Sequence, residues 1–265
     1  MSYAQLLEHL QKELVAENET LKKQQKDLMA CIQQLQINVN KTLRTANEAV
    51  FASIFNNAIS HSEWLKNTAF SAGRWAVGYP FLYAMYRILN EVKPVKILEL
   101  GLGQSTRMIA QYVAFYQNTT HFVVEHDDEW IDFFQRDFAL SKKSKIVKLN
   151  WNFEKYNEAE SVRVYGGFEK KFKNKKFDFI SIDGPFGGDM KQYARIDVLK
   201  LLPSCLAENF IIMIDDTERS GETNTVKEMI KKLDENGVKH CLGHYSGQKD
   251  CTVISSENLK WVCSM

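Results

Sequence analysis

Several features that mark other classes of protein are missing from this sequence of 265 residues. No stretch approaches the ~20 apolar residues that a membrane-spanning helix needs, and the first residues lack the apolar core of a secretory signal. Lys and Arg number 34 against 33 Asp and Glu, so the charge excess typical of nucleic-acid binding proteins is also missing. We therefore expect a cytoplasmic protein with no membrane span and no nucleic-acid partner.

Cysteine is too sparse and too scattered to build a disulfide framework or a zinc site. The five cysteines have no paired metal-binding spacing, and their number is odd. They are Cys31, Cys205, Cys241, Cys251 and Cys263. This usage is typical of a reducing compartment, which agrees with a cytoplasmic protein.

Glycine and proline are absent from the first 50 residues, where leucine recurs at every seventh position. These leucines are Leu7, Leu14, Leu21, Leu28 and Leu35. If they occupy the d positions of heptads, the a positions are Gln11, Asn18, Gln25, Ile32 and Val39. Polar a positions weaken such a seam but can specify its register. Residues 1–50 are therefore predicted to form a helical extension, either a coiled coil that makes a homo-oligomer or a single amphipathic helix on its own domain.

The rest of the sequence predicts an α/β protein. Residues 51–94 keep a helical pattern, a helical lead-in that Pro94 ends. Apolar runs then alternate with helical segments, at 95–100, 121–126, 145–149, 177–183 and 210–216. Unbroken Ile, Val and Phe runs suit strands buried on both faces, so the alternation predicts a parallel sheet between helices. The tail around Ser246 and Gly247 predicts two further strands joined by a tight turn.

Two glycines follow the first of these strands, in "VKILELGLGQST". Gly101 and Gly103 would let the backbone approach a ligand at the carboxyl edge of the sheet. Polar residues stand where a dinucleotide site would favour a third glycine, namely Gln104, Ser105 and Thr106. Glu125 ends the second strand, where a carboxylate can accept hydrogen bonds from both hydroxyls of a ribose. The pattern predicts a nucleoside ligand.

With these features the sequence resembles the class I S-adenosylmethionine-dependent methyltransferases. "ILELGLGQST" is similar to their first motif and "FVVEHDDEW" to their second, and the resemblance covers roughly residues 75–255. It implies a Rossmann-like seven-stranded sheet with an antiparallel last strand, S-adenosylmethionine as cofactor, and a methyltransferase domain over residues 95–265. It also implies cofactor contacts for eight residues: Glu99, Gly101 and Gly103 at the methionine part, Gln104, Ser105 and Thr106 near its carboxylate, Glu125 at the ribose and His126 near the adenine. For His126 a solvated helix cap is the alternative.

Three more carboxylates end the later strands, Asp183 in "SIDGPFGG" and Asp215 and Asp216 in "MIDDTERSGE". They would repel one another unless protonated, paired with cations or bound to metal. The arrangement resembles catechol-type and macrocin-type sugar O-methyltransferases, which implies that these three aspartates hold Mg²⁺. The following "TER" departs from that pattern, so Arg219 or Arg195 could neutralise the acids instead. Asp183 is predicted to be the catalytic base, with Asp216 and Arg219 beside it.

The function predicted is S-adenosylmethionine-dependent O-methylation of a hydroxyl on a small acceptor. The family resemblance points to a sugar, a sugar nucleotide or a surface-polysaccharide precursor. Two alternatives stay open at this point. A nicotinamide-dependent dehydrogenase is opposed by the missing third glycine, and a non-catalytic coiled-coil assembly protein is opposed by the clustered acids.

Overall fold

A computed structural model describes residues 2–265 and divides the chain into two compact units. One unit ends at Ala46, and the other is Asn47–Met265. Helix α1 extends over Tyr3–Ile59, so its last turns belong to the second unit. In the first unit all five heptad leucines are exposed. Among the described residues, no helix combines the length and the apolar character that crossing a membrane requires.

The second unit is built around a seven-stranded sheet. Its further helices are α2 (Tyr79–Arg87), α3 (Gln104–Phe115), α4 (Asp128–Asp137), α5 (Phe168–Phe172) and α6 (Ser220–Glu235). The strands are β1 (Lys96–Leu100), β2 (Thr120–Glu125), β3 (Ser144–Lys148), β4 (Trp151–Tyr156), β5 (Ala159–Tyr165), β6 (Phe177–Ile182), β7 (Leu206–Ile214), β8 (His240–Ser246) and β9 (Asp250–Ser256). A π-helical turn covers Ile88–Val92, and short 3₁₀ segments cover Asp197–Lys200 and Glu257–Cys263.

The strand order of the large sheet is β3-β2-β1-β6-β7-β9-β8. The first five of these strands run parallel, whereas β9 is antiparallel to both of its neighbours. The predicted seven-stranded fold with an antiparallel last strand is thus confirmed, and the five apolar runs of the sequence correspond to the five parallel strands. The carboxyl ends of these strands therefore meet at one edge of the sheet.

Both faces of the sheet are buried, which explains why its strands carry apolar residues at adjacent positions. Leu98 and Ile180 face one hydrophobic core, while Ile97 and Phe179, the preceding residues, face a second core on the opposite side. All four side chains are inaccessible to solvent. Side chains alternate between the faces of a strand, so only an unbroken apolar run can supply both cores.

The sequence did not predict the antiparallel pair β4–β5, which forms a separate two-stranded sheet. The side chains of β4 are exposed or half-buried, and the strand carries charged residues, so its sequence lacks the apolar run that marked the other strands. Residues 60–78, inside the predicted helical lead-in, form no regular helix or strand. Gln111 of α3 holds this segment, because its side-chain oxygen accepts hydrogen bonds from the amides of Lys66 at 3.0 Å and Asn67 at 2.7 Å.

Candidate active site

A cavity of about 470 Å³ lies at the carboxyl edge of the parallel strands. Its walls come from the loops that follow β1, β2, β6 and β7, from the segment between α1 and α2, and from the turn between β8 and β9. Five of the eight predicted cofactor residues line it: Gly101, Gly103, Gln104, Glu125 and His126. Asp183, Arg195, Asp216, Arg219 and Lys249 line it too. The strand ends thus bring the predicted cofactor and catalytic residues to one cavity.

The two glycines of the turn after β1 have different surroundings, so an added side chain would have different effects. Gly101 has φ +96°, and a Cβ there would lie 2.9 Å from the backbone oxygen of Asp183. Its missing side chain therefore lets the ends of β1 and β6 approach each other. Around Gly103, by contrast, no described atom lies within 4 Å of the position that a Cβ would take. Because Gly103 lines the cavity, this open space is available to a ligand.

This difference predicts opposite results for two alanine substitutions. Gly101→Ala should lower the free energy of unfolding by about 1–3 kcal/mol, since both φ and the neighbouring strand end oppose a side chain. Gly103→Ala should leave stability within about 1 kcal/mol of the parent, because its methyl group has room. If S-adenosylmethionine, the cofactor predicted from the sequence, occupies the space at Gly103, the added methyl group should weaken its binding about tenfold, the effect of a steric cost of about 1.4 kcal/mol.

Urea denaturation and calorimetric titration of the two variants measure these quantities. A Gly103→Ala protein that binds the cofactor as tightly as the parent would show that the space beside this turn is not used.

The start of α3 is organised by its own side chains. The hydroxyl of Thr106 accepts a hydrogen bond from the amide of Gly103 at 2.9 Å, so it caps the helix. Ser105 and Thr106 are buried behind the turn and do not line the cavity. The side-chain oxygen of Gln104 accepts a hydrogen bond from the amide of Ser71 at 3.3 Å. Gln104 therefore joins the cavity wall to the segment that precedes α2.

Glu125 is nearly buried at the end of β2 and organises the loop that follows. Its Oε1 accepts a hydrogen bond from the amide of His126 at 2.6 Å, and its Oε2 accepts one from Leu102 at 3.1 Å. The imidazole of His126 stacks on Trp151 with ring centroids 3.9 Å apart. The helix cap proper is Asp127, whose carboxylate accepts a hydrogen bond from the amide of Trp130. His126 thus belongs to the cavity wall and Asp127 to the cap.

Glu99 lies behind the glycine turn and is inaccessible to solvent. Its Oε2 is 3.0 Å from Nε2 of His121, and Nδ1 of the same ring is 3.2 Å from the hydroxyl of Ser144. Oε1 has no hydrogen-bond partner among the described residues. A buried oxygen without a partner is costly, so this acceptor suits a donor that arrives with a ligand or water.

Asp183, Asp215 and Asp216 form a compact acidic cluster after β6 and β7, and Arg195 lies at its centre. Nη2 of Arg195 is 2.7 Å from Oδ2 of Asp216 and 3.2 Å from Oδ1 of Asp183. Its Nη1 donates to the backbone oxygen of Asp215 at 3.0 Å. The Arg195 side chain is only 3% exposed, so these contacts are made away from water.

Two further cations contact the same carboxylates. Nζ of Lys249 lies 3.2 Å from Oδ2 of Asp215 and 3.0 Å from Oδ1 of Asp216. Nη2 of Arg219 is 3.0 Å from Oδ1 of Asp216. The sequence left open whether Arg219 or Arg195 neutralises the acids. In the structure both arginines contact them. Arg219 is the more exposed of the two.

The geometry of the cluster shows whether the predicted magnesium ion fits. One oxygen from each of the three aspartates lies within 4.8 Å of the others, a spacing that three carboxylates could offer to a divalent cation. Ammonium and guanidinium groups, however, contact these carboxylates at hydrogen-bond distance. As it stands, the cluster does not fit a divalent ion. The metal stays a prediction, and no step proposed below depends on it.

The pKa values of the aspartates differ because their surroundings differ. Burial raises the pKa of Asp183 to about 6, against the opposing effect of Arg195. Burial, together with the charge of Asp183, raises the pKa of Asp215 well above its ordinary value. Asp216 is also buried, but Arg195 and Lys249 outweigh that effect and lower its pKa. Asp183 is therefore the carboxylate in the cavity wall whose pKa best suits proton transfer near neutral pH.

Two of these residues have an unusual backbone conformation. Arg195 has φ +59° and Asp216 has φ +62°, although neither is a glycine. Left-handed conformations cost side-chain-bearing residues about 1–3 kcal/mol and cluster at functional sites. The ion pair between these two side chains helps to hold both in place.

Sequence reasoning missed several cavity residues. Lys249 lies in the hairpin turn, and Trp75 and Phe186 lie in segments without regular structure; the three line one cavity although they are far apart in the chain. Trp75 is 85% exposed, and its ring centroid is 5.9 Å from that of Phe186. Nothing in their spacing marked them, although a tryptophan next to Arg74, in a short segment between two glycines, was a usable signal.

Comparison with known proteins gives a likeness of fold. No protein-family model matches the chain, and no curated protein matches its sequence. A Klebsiella pneumoniae protein predicted to be an O-methyltransferase matches with a TM-score of 0.50 and 12% identity, over 82% of this chain and 98% of that one. The O-methyltransferase from Bacillus cereus in complex with SAH matches with a TM-score of 0.46 and 13% identity, over 80% and 92%. At such identities the likeness concerns the fold alone.

Proposed function

We propose that this chain is an S-adenosylmethionine-dependent O-methyltransferase that acts on a hydroxyl of a small acceptor. One observation carries the proposal: two carboxylates with different roles line the same cavity. Glu125 is suited to bind a ribose, and Asp183 is suited to accept a proton. The fold shared with the Klebsiella protein supports the same reaction class. In such a fold a ligand binds across the carboxyl ends of the strands, where this cavity lies.

The cofactor would lie along the ends of β1 and β2. Glu125 would accept hydrogen bonds from the ribose, and the stacked pair of His126 and Trp151 would border the adenine. The open space at Gly103 would admit the methionine part. Glu99 does not line the cavity, so its buried oxygen without a partner would interact with the cofactor only through water.

Methyl transfer is an in-line displacement, so the protein has to hold the acceptor oxygen opposite the sulfonium and remove its proton. The C–S bond breaks as the C–O bond forms, and the electron pair of the broken bond stays on sulfur. The acceptor's proton passes to Asp183. Asp216 positions Arg195 and Lys249 through its ion pairs, and Arg219 faces the cavity, where it can hold the acceptor.

For the acceptor we propose a sugar, a sugar nucleotide or a precursor of a surface polysaccharide. Trp75 and Phe186 present exposed aromatic rings beside the cavity, and such rings bind the apolar face of a sugar ring. Arg74 and Arg219 line the same cavity and would suit the phosphates of a nucleotide-linked sugar. The sugar thus gains support from the cavity wall as well as from the family resemblance.

Two measurements test the proposed function. Calorimetric titration should give binding of S-adenosylmethionine and none of NAD, and Glu125→Ala should weaken the former at least tenfold, because charge-assisted hydrogen bonds contribute about 1.5–3 kcal/mol each. Labelled cofactor should then transfer its methyl group to at least one member of a panel of sugar nucleotides. Binding of NAD without binding of S-adenosylmethionine would overturn the proposal in favour of a dehydrogenase.

We further propose that the chain is organised as an oligomerisation helix over residues 1–50, a lead-in over 51–94 that is helical only on either side of residues 60–78, and the methyltransferase domain over 95–265. The heptad leucines support pairing with a second copy, because a single helix with exposed leucines gains little stability from packing. Ile32 and Val39 extend the apolar seam at the a positions, and both are exposed.

Pairing through the heptads predicts a change of oligomeric state. Light scattering should give a dimer for the full chain and a monomer for the double variant Leu21→Ser/Leu28→Ser, because both substitutions remove d-position leucines. The matched control, Lys23→Ser/Ala30→Ser, changes two positions on the opposite side of the heptads and should stay dimeric. A monomeric parent would refute the pairing.

A further inference from the structure

We propose that the ammonium group of Lys249 takes the place of a divalent metal ion in the acidic cluster and donates a hydrogen bond to the acceptor oxygen during methyl transfer. The inference rests on the proposed function and deepens it, since it assigns the group that stabilises the reacting oxygen. It starts from the disagreement between the metal implied by the family resemblance and the cations that contact the three aspartates.

The position of Lys249 is the first argument. It lies in the short turn between β8 and β9, which is closed by a hydrogen bond from the amide of Gly247 to the backbone oxygen of Lys249. This turn brings Nζ within 3.2 Å of Asp215 and 3.0 Å of Asp216, two ligands that the metal would need. The Lys249 side chain is 12% exposed, so the ion pairs are largely shielded from water.

The donor capacity of the ammonium group is the second argument. An ammonium group can donate three hydrogen bonds and accepts none. The hydrogen bond to Asp215 engages one of its N–H donors. Even if the ion pair with Asp216 engages a second, one donor is left. Lys249 and Asp183 both line the cavity, and one oxygen of Asp183 lies within 4.8 Å of oxygens of Asp215 and Asp216, the two residues that Lys249 contacts. A hydroxyl that gives its proton to Asp183 would therefore have the remaining Lys249 donor close to its oxygen.

Charge is the third argument. The three aspartates face three cations, Arg195, Arg219 and Lys249. The buried Glu222 also lies 3.8 Å from Arg195 and 3.7 Å from Arg219, so the chain itself supplies three positive charges against four carboxylates. A metal ion in such a site would polarise the acceptor oxygen and lower the pKa of its hydroxyl. A fixed ammonium group likewise places a positive charge beside the acceptor oxygen while that oxygen loses its proton. The displacement then needs no further reactant.

Metal binding gives a readout that does not depend on activity. Titration with Mn²⁺, followed by electron paramagnetic resonance, should detect no tight binding to the parent protein. Lys249→Ala should acquire a Mn²⁺ site, because the substitution frees oxygens of Asp215 and Asp216. Lys249→Arg retains the positive charge and should bind none, and the double variant Lys249→Ala/Asp216→Asn should lose the acquired site.

Two results would overturn the inference: stoichiometric Mn²⁺ binding by the parent that Asp216→Asn abolishes, or no gain of binding in a folded Lys249→Ala protein. If Lys249→Ala does not fold, the titration of the parent still tests the inference. Mn²⁺ binding by the parent that is lost in Asp216→Asn contradicts the inference, and no Mn²⁺ binding by the parent supports it.

Kinetics provide the second arm. Excess chelator should leave the activity of the parent unchanged. Lys249→Met should lower kcat roughly 10²-fold, the loss expected when one donor to a developing oxyanion is removed, with the Kd of S-adenosylmethionine within twofold of the parent. Lys239→Met, which alters an 81%-exposed lysine far from the cavity wall, is the control and should retain full activity. Loss of activity in chelator would contradict the inference, whereas failure to bind S-adenosylmethionine at all would contradict the proposed function instead.

Discussion

Replacing Asp183 by asparagine should lower kcat by roughly 10²–10⁴, the contribution of a positioned general base. The amide cannot take up the proton of the acceptor hydroxyl, although it is similar in size and still lines the cavity. Binding of S-adenosylmethionine should stay within about twofold of the parent, because the proposed cofactor contacts lie at β1 and β2. Single-turnover kinetics and calorimetric titration measure the two quantities separately.

The pH dependence should identify the same group. Burial raises the pKa of Asp183 to about 6. The charged groups that also act on this pKa are Arg195, Lys249, Asp216 and Glu99. A base has to be deprotonated, so kcat should be constant above that pH and fall ~tenfold per unit below it. Asp132→Asn, a change on the exposed side of α4, is the matched control and should preserve rate and profile. A normal rate in Asp183→Asn would remove Asp183 from the mechanism.

Replacing Arg195 by methionine should lower the free energy of unfolding by about 3–5 kcal/mol, the cost of breaking a buried ion pair and leaving its partner charged. The substitution leaves Asp183 and Asp216 without their shared guanidinium, and Glu222, inaccessible to solvent, without the nearby charge of its Nε at 3.8 Å. Urea denaturation at pH 8 measures this loss.

Arg219 offers a matched comparison because it contacts the same aspartate from a more exposed position. Arg219→Met should cost at most about 1 kcal/mol, since water screens its ion pairs. The loss in Arg195→Met should also shrink as the pH falls. Without the guanidinium the pKa of Asp183 rises further above its unfolded value, and the pKa of Asp216, which the parent holds below its unfolded value, rises as well. A rise in the folded-state pKa of an acid costs stability where the acid is ionised, and the cost disappears once the acid is protonated at low pH. Equal losses in the two variants would show that Arg195 is not central to the cluster.

The sequence by itself predicted the order of strands and helices, because a parallel sheet covered on both faces leaves a simple pattern. Runs such as the one ending at Leu100 place apolar residues at adjacent positions, as at Ile97 and Leu98, and the helical segments between them have their own period. It failed at β4–β5, where the exposed or half-buried strand β4 pairs only with the more buried β5. Whether a polar segment such as β4 forms a strand is decided by the neighbouring chain and not by its own composition.

The sequence also predicted that Glu125, Asp183, Asp215 and Asp216 would lie at one edge, since each follows a parallel strand and those strands end together. In the same way it predicted the turn at Gly101, where the backbone needs a residue without a side chain. These predictions depend on local position along a strand, which the sequence records directly.

Only the tertiary structure decided which groups face these acids. Lys249 is contributed by a hairpin turn and Trp75 by an irregular segment, and neither has a sequence spacing that connects it with Asp183. Arg195 reaches the centre of the cluster through a left-handed backbone conformation that local propensity disfavours. Contacts between residues remote in the chain arise from how the elements pack, so the pairing of charges, and with it the chemistry of the cluster, became visible only in the folded protein.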